Sequence, residues 1–204
     1  MITIINYGSG NIKAIGNIYD RLRIPYIVAN SPEEVKGSQK IILPGVGAFD
    51  ETIKMLDETG FRSVLDYEVL TNEVPVLGIC VGMQILANKS EEGGLKGLGW
   101  IDGEVKKIDK SILIDKPKLP HLGWNSISIK RKGDFFDNID EENGFYFLHS
   151  YYFQCNDEND VASTTFYGNN FASAVNRKNI YGVQFHPEKS HHNGIQLLQN
   201  FAKL

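Results

Sequence analysis

The stretch Pro75-Val76-Leu77-Gly78-Ile79-Cys80-Val81-Gly82-Met83 decides how the rest of the chain is read. Its first five residues are almost wholly apolar, as a strand buried on both faces requires. Two glycines then bracket a cysteine, and a helix is expected to follow through Met83, Leu86 and Ala87. A buried strand turning sharply into a helix belongs to a βα unit, and βα units in series build a parallel sheet. The residues upstream repeat that rhythm. Met1–Ile5, Tyr26–Ala29 and Lys40–Leu43 read as strands. Asn11–Arg23 reads as a helix, with Ile12, Ile15, Ile18, Tyr19 and Leu22 on one side, and further helices are expected near Phe49–Glu58 and Arg62–Leu70.

Downstream of about Gly99 the spacing changes. Trp100–Ile108, Ser126–Lys130, Gly144–Leu148, Tyr151–Cys155, Val161–Phe166, Phe171–Asn176 and Ile180–Phe185 are short β-like runs parted by turn residues, which favours hairpins and antiparallel pairing. Gly194–Lys203 reads as a closing helix. No repeat or linker-like tract divides the chain, so residues 1–204 are expected to form one α/β domain: a mostly parallel central sheet flanked by helices, with a β-rich second half.

Composition narrows the function classes. The 204 residues are 42% hydrophobic and 23% charged, ordinary values for a globular domain. A net charge of −4 argues against a nucleic-acid binder. The longest nearly apolar stretch, Val74 to Met83, is too short to span a bilayer, and Met1–Ile5 lacks the basic and apolar regions of a secretory signal. Cys80 and Cys155 are then expected as free thiols in the cytoplasm.

The pentapeptide Gly78-Ile79-Cys80-Val81-Gly82 has the form of a nucleophile elbow. A strained strand-to-helix turn lifts one side chain above the sheet, and flanking glycines make room for it. The helix start favours thiolate over thiol, and the Val81 N–H is placed to hold an oxyanion. The bland alternative is a buried core cysteine at a glycine-rich turn. In Gln184-Phe185-His186-Pro187-Glu188, an extended backbone would set His186 and Glu188 on one side, the carboxylate orienting the imidazole as an activated thiol requires. Pro44-Gly45-Val46-Gly47 follows a strand, where the Val46 N–H could supply a second oxyanion donor. Metal chemistry finds no support: His191 and His192 are adjacent, His121 and His149 stand isolated, and CxxC and HExxH spacings are absent. Gly8-Ser9-Gly10 lacks the GxGxxG spacing of a dinucleotide site and reads as a tight turn opening the first helix.

Taken together, these residues resemble the class I, triad-type glutamine amidotransferases over essentially the whole chain. The resemblance implies a flavodoxin-like sheet, with Cys80 as nucleophile on the amide of L-glutamine, His186 as base and then acid, and Glu188 orienting His186. It implies an oxyanion hole of Val46 and Val81 amides, and a glutamine pocket including Gly45, Gln84, Glu92, Ser150 and Tyr151. No cofactor and no metal are implied.

Tyr7-Gly8-Ser9-Gly10-Asn11, Pro44-Gly45-Val46-Gly47-Ala48-Phe49, Gly97-Leu98-Gly99-Trp100, Leu122-Gly123-Trp124-Asn125, Phe145-Tyr146-Phe147 and His186-Pro187-Glu188-Lys189-Ser190 look more narrowly like the glutaminase subunits of imidazole glycerol phosphate synthase. That family docks on a (β/α)₈-barrel cyclase and feeds it ammonia for histidine biosynthesis. By this resemblance Asn11, Trp124, Asn125, Tyr146 and Lys189 lie at or near a partner surface. Asn6 stands where the family carries an acidic residue. The chain has no second constellation for a phosphorylated substrate, and ammonia released into water is protonated, so a docked partner is expected. Control of Pro44–Gly47 by that partner would stop idle hydrolysis. A paralogue that amidates a surface-polysaccharide sugar is the alternative within the same class, and a degenerate binding module the alternative outside it.

Overall fold

A computed structural model of the chain describes residues 1–113 and 118–204. The first half runs β1 (Ile2–Ile5), α1 (Ile12–Leu22), β2 (Tyr26–Ala29), β3 (Lys40–Gly45), α2 (Phe49–Glu58), α3 (Phe61–Asp66), β4 (Val76–Cys80) and α4 (Val81–Gln84). The second half contributes β5 (Lys89–Ser90), β6 (Gly103–Lys107), β7 (His121–Asn125), β8 (Ser128–Ile129), β9 (Phe145–His149), β10 (Tyr151–Cys155), β11 (Val161–Tyr167), β12 (Asn169–Arg177), β13 (Ile180–Val183) and α5 (His191–Lys203).

The large sheet is ordered β2-β1-β3-β4-β13-β12-β10-β6-β5, with β11 and β8 joined beside β12. The five strands from β2 to β13 are mutually parallel, and β12, the next along, is antiparallel to β13. The order 2-1-3-4 followed by a fifth parallel strand is the flavodoxin-like arrangement. Its direction reverses between β1 and β3, and the crevice at their carboxyl ends is where such sheets bind ligands. All five residues of β4 are buried, because the strand has neighbours on both edges and packing on both faces. Around it, α1 buries Ile15, Ile18 and Tyr19 at helical spacing and packs against α5. It ends where Arg23 turns to φ 56° and its N–H returns to the carbonyls of Tyr19 and Asp20.

Several elements depart from expectation. The helix anticipated over Arg62–Leu70 stops at Asp66 and continues as a π-helical turn over Tyr67–Thr71, where the buried Glu68 carboxylate accepts the Gly37 N–H and the Asn72 amide. The helix expected to reach Ala87 is the four-residue α4: the Leu86 and Ala87 N–H groups tighten onto Met83 and Gln84, and the Leu86 carbonyl is taken by Trp100 and Ile101. Two strands were not anticipated. The short β5 pairs with β6, and β7 has no apolar alternation to announce it. Among the described residues that strand pairs only with β9, as a two-stranded ribbon outside the large sheet.

Candidate active site

Cys80 is the last residue of β4, central in the parallel half of the sheet, and its backbone sits at φ 55° and ψ −112°. That combination is strained for any residue with a Cβ, at a cost on the order of 1–3 kcal/mol. Close packing holds it in place: a Cβ added to Gly82 would lie 1.9 Å from the Leu43 carbonyl oxygen, so the turn docks on β3 only without a side chain there. The elbow read from the sequence is thus present as strained geometry, with Val81 as the first residue of α4 and its N–H outside the helical bonding pattern.

A cavity of about 300 Å³ opens over this turn. It is lined by Cys80, Val46, Val81, Gln84, Glu92, Ser150, Tyr151, His186 and Lys189, together with Gly47, Pro120, Leu148 and His149. Residues from six separate segments thereby meet in one space at the carboxyl end of the sheet. Gly45 is the exception among the pocket residues read from the sequence. It pairs with Cys80 across β3 and β4, packs against the Gly82 amide, and supports the elbow without lining the cavity.

His186 and Glu188 come together by a route other than the one expected. The strand ends at Val183, and Pro187–Lys189 form a 3₁₀ turn that swings the Glu188 carboxylate back to His186 Nδ1 at 2.9 Å. Both side chains are buried. Burial opposes the imidazolium, but hydrogen bonding and charge from Cys80 and Glu188 outweigh it and raise the His186 pKa to about 10. The ring therefore carries its proton at neutral pH, beside a sulfur and a carboxylate. Cys155 is half-buried, and burial pushes its thiol up to about 12, in keeping with an inert side chain.

The Val46 N–H does not face the cavity freely. It donates to Ser9 Oγ at 2.9 Å, and the same hydroxyl donates back to the Val46 carbonyl at 2.9 Å. Ser9 thus ties the Pro44–Gly47 loop to the turn before α1, and the Tyr7 hydroxyl donates to the Pro44 carbonyl beside it. Gln84 gives both amide hydrogens to protein acceptors, the Tyr151 carbonyl at 3.1 Å and Gln184 Oε1 at 3.0 Å. Gln184 Nε2 then faces Cys80 Sγ at 3.7 Å. Glu92 accepts the Phe49 N–H at 2.8 Å, anchoring the start of α2 to the cavity wall.

Sequence reasoning assigned no role to Ser9, Gln184 or His149. For Gln184 a signal existed, since it alternates with His186 in one extended run. For Ser9 none did, because its partner is 37 positions away.

Of the residues read as a partner surface, Asn11, Trp124 and Lys189 are exposed, whereas Tyr146 and Asn125 are half-buried and Asn125 reaches inward to His121 Nε2 at 3.2 Å. Trp124 is 48% exposed and so is not a core aromatic, and its ring stacks on His191 at 5.3 Å. Lys189 Nζ lies 5.6 Å over the Tyr146 ring, whose backbone carbonyl accepts the His186 N–H. Asn125 bonds to the Phe166 carbonyl, and Asn11 is exposed at the start of α1, a helix that packs against the Pro187–Lys189 turn. Asn6 bonds to Asn30 at 2.7 Å, a neutral contact. Among the described residues no group of three or more His, Cys, Asp or Glu is arranged to hold a metal ion, and no helix is long and apolar enough to cross a membrane.

A strained cysteine elbow on a flavodoxin-like sheet, facing a paired histidine and glutamate, agrees with what the chain matches: the family model described as glutamine amidotransferase class-I aligns with residues 3–204. The chain belongs to that family. It is 49% identical over 204 residues to a protein from Leptospira interrogans and 48% identical to one from Leptospira borgpetersenii, each match covering 100% of both chains. Both relatives are named imidazole glycerol phosphate synthase subunit HisH. A crystal structure titled as a glutamine amidotransferase superposes with a TM-score of 0.72, covering 100% of this chain and 99% of that one at 16% identity, which speaks for the fold alone.

Proposed function

We propose that this chain is the glutaminase subunit of an imidazole glycerol phosphate synthase, acting in the cytoplasm in histidine biosynthesis. Cys80 Sγ, as thiolate beside the His186 imidazolium, attacks the side-chain carbonyl carbon of L-glutamine. The oxyanion forms against the Val81 amide and against the Val46 amide once Ser9 has released it. The C–N bond breaks as His186 gives its proton to the departing nitrogen, leaving ammonia and a γ-glutamyl thioester on Cys80. Water then attacks the thioester and gives a proton to His186, and glutamate departs as the thiolate re-forms. Glu188 holds the imidazole in orientation throughout. Gln84, Glu92, Ser150 and Tyr151 hold the α-amino-acid end of the substrate.

Ammonia passes to a (β/α)₈-barrel cyclase docked over the face that carries Trp124, Asn125, Tyr146 and Lys189. The bond between Ser9 and Val46 supports an idle state in the isolated chain, with docking expected to release it. The reading rests on the convergence of Cys80, His186 and the glutamine-pocket residues on one cavity. The reported relatives carry the histidine enzyme's name, so the surface-sugar reading is not carried further. Glutamate release from glutamine is measured with the chain alone, then with the cyclase of the same organism and its phosphoribosyl ligand. Strong stimulation is expected; turnover indifferent to that cyclase would reject the assignment.

A further inference from the structure

His121 and His149 take no part in the reaction above. The structure brings them together as the directly opposed residues of β7 and β9. Both are buried, in an aromatic setting of Phe147, Tyr167 and Phe171. His149 Nδ1 is 2.7 Å from the Tyr151 carbonyl, His149 Nε2 is 2.9 Å from His121 Nδ1, and His121 Nε2 is 3.2 Å from the Asn125 side-chain amide nitrogen.

The two ends of this chain fix its protons. A carbonyl only accepts and an amide NH₂ only donates, so His149 donates from Nδ1, His121 donates from Nδ1, and each ring accepts at Nε2. One proton per ring satisfies every contact, and both rings are neutral. Burial acts the same way, holding His121 at about 4 and, helped by the neighbouring His121, His149 at about 3. Among the described residues their other titratable neighbours are His186, the stacked Tyr167 and, lining one cavity with His121, Lys110 and Lys118, and no carboxylate is bonded to either ring.

The Tyr151 carbonyl that receives the His149 proton also receives Gln84, which lines the cavity. His149 therefore braces the bend from residue 149 to 151, on which Ser150 and Tyr151 face the cavity. We infer that the His121–His149 pair is a positioning element for glutamine binding, setting the Tyr151 carbonyl and through it the Gln84 amide. The inference rests on the proposed glutaminase reading for the identity of the ligand, though not for the pairing itself.

Two measurements on the full chain test it. Long-range ¹H–¹⁵N correlation spectra of the wild-type imidazoles need no activity: both rings are expected as Nδ1–H tautomers between pH 5.5 and 8. A ring that titrates in that range, or shows an Nε2–H tautomer, overturns the pairing. Steady-state glutaminase assays with the partner present then compare two variants of similar polarity. In His149→Asn the amide nitrogen takes the place of Nδ1 and keeps the bond to Tyr151; in His149→Gln the amide reaches the Nε2 position and loses it. His149→Gln is expected to raise KM for glutamine about tenfold with kcat within about twofold, the mark of lost ground-state binding. His149→Asn is expected to stay within about threefold of wild type in KM. Equal effects of the two variants, or a loss confined to kcat, would overturn the positioning role. A wild-type chain that releases no glutamate under any condition would instead defeat the glutaminase reading, and the spectra would still decide the pair.

Discussion

At the scale of single residues, the proposed control rests on the state of the Val46 amide. Its N–H is held by one neutral hydrogen bond to Ser9 Oγ, an interaction worth about 1 kcal/mol. Ser9→Ala removes that acceptor, and the partner-free rate of glutamate release is expected to rise about 3- to 10-fold. An unchanged or lower rate would show that Ser9 does not restrain the loop. In the proposed reaction Glu188 acts on the other side, through its bond to His186. The His186 pKa of about 10 lies above its usual value of 6.5, so the pairing stabilises the fold fully below about pH 6.5 and ceases to do so as pH rises through about 10. Glu188→Gln removes one of the groups that raise it. The alkaline limb of the kcat/KM profile is then expected to shift to lower pH, with activity down about 100-fold or more. An alkaline limb that stays in place would mean that Cys80 alone holds the proton on His186.

At the scale of elements, the elbow depends on how closely β3 and α4 approach. Gly82→Ala would push a methyl group into the Leu43 carbonyl, so β3 or α4 must shift. Thermal melts should show a Tm lower by several degrees, and glutaminase activity should fall with it. A variant that melts and turns over like wild type would contradict the close packing described. The elements that were legible in the sequence are those whose signal is local. The strand β4 is a continuous apolar run, α1 has a helical apolar spacing, and the elbow is a contiguous pentapeptide. The rest depends on partners distant in the chain. The ribbon strand β7 is defined by pairing with β9, α4 is cut short by contacts with Trp100 and Ile101, and Glu188 reaches His186 through a 3₁₀ turn that Pro187 opens. His121 and His149 read as isolated for the same reason, since 28 positions separate them until two strands pair.

At the scale of the whole molecule, the ribbon of β7 and β9 carries both an exposed apolar face and, through Leu148 and His149, part of the cavity wall. Leu122 and Trp124 are 62% and 48% exposed on the outward side of the ribbon, with Leu148 beside them. Partly exposed aromatics of this kind commonly anchor protein interfaces. Stacking on His191 holds the Trp124 ring in place before any partner arrives. Trp124→Ala is expected to weaken binding of the cyclase partner about 30-fold, corresponding to about 2 kcal/mol, as read by calorimetry. An unchanged Kd would move the docking face elsewhere.

The ribbon also bears on how such a chain can change over generations. Because its residues alternate, His121, Phe147 and His149 face inward while Leu122, Trp124 and Leu148 face outward. Among the described residues it shares no strand pairing with the large sheet that carries Cys80. Leu148 also lines the cavity, but Leu122 and Trp124 do not, so mutation can rewrite those two while the inward set and the cysteine turn stay as they are. Choice of recipient and cleavage of the amide become separately heritable traits, and an ancestral copy could be reassigned to a new acceptor without relearning its chemistry.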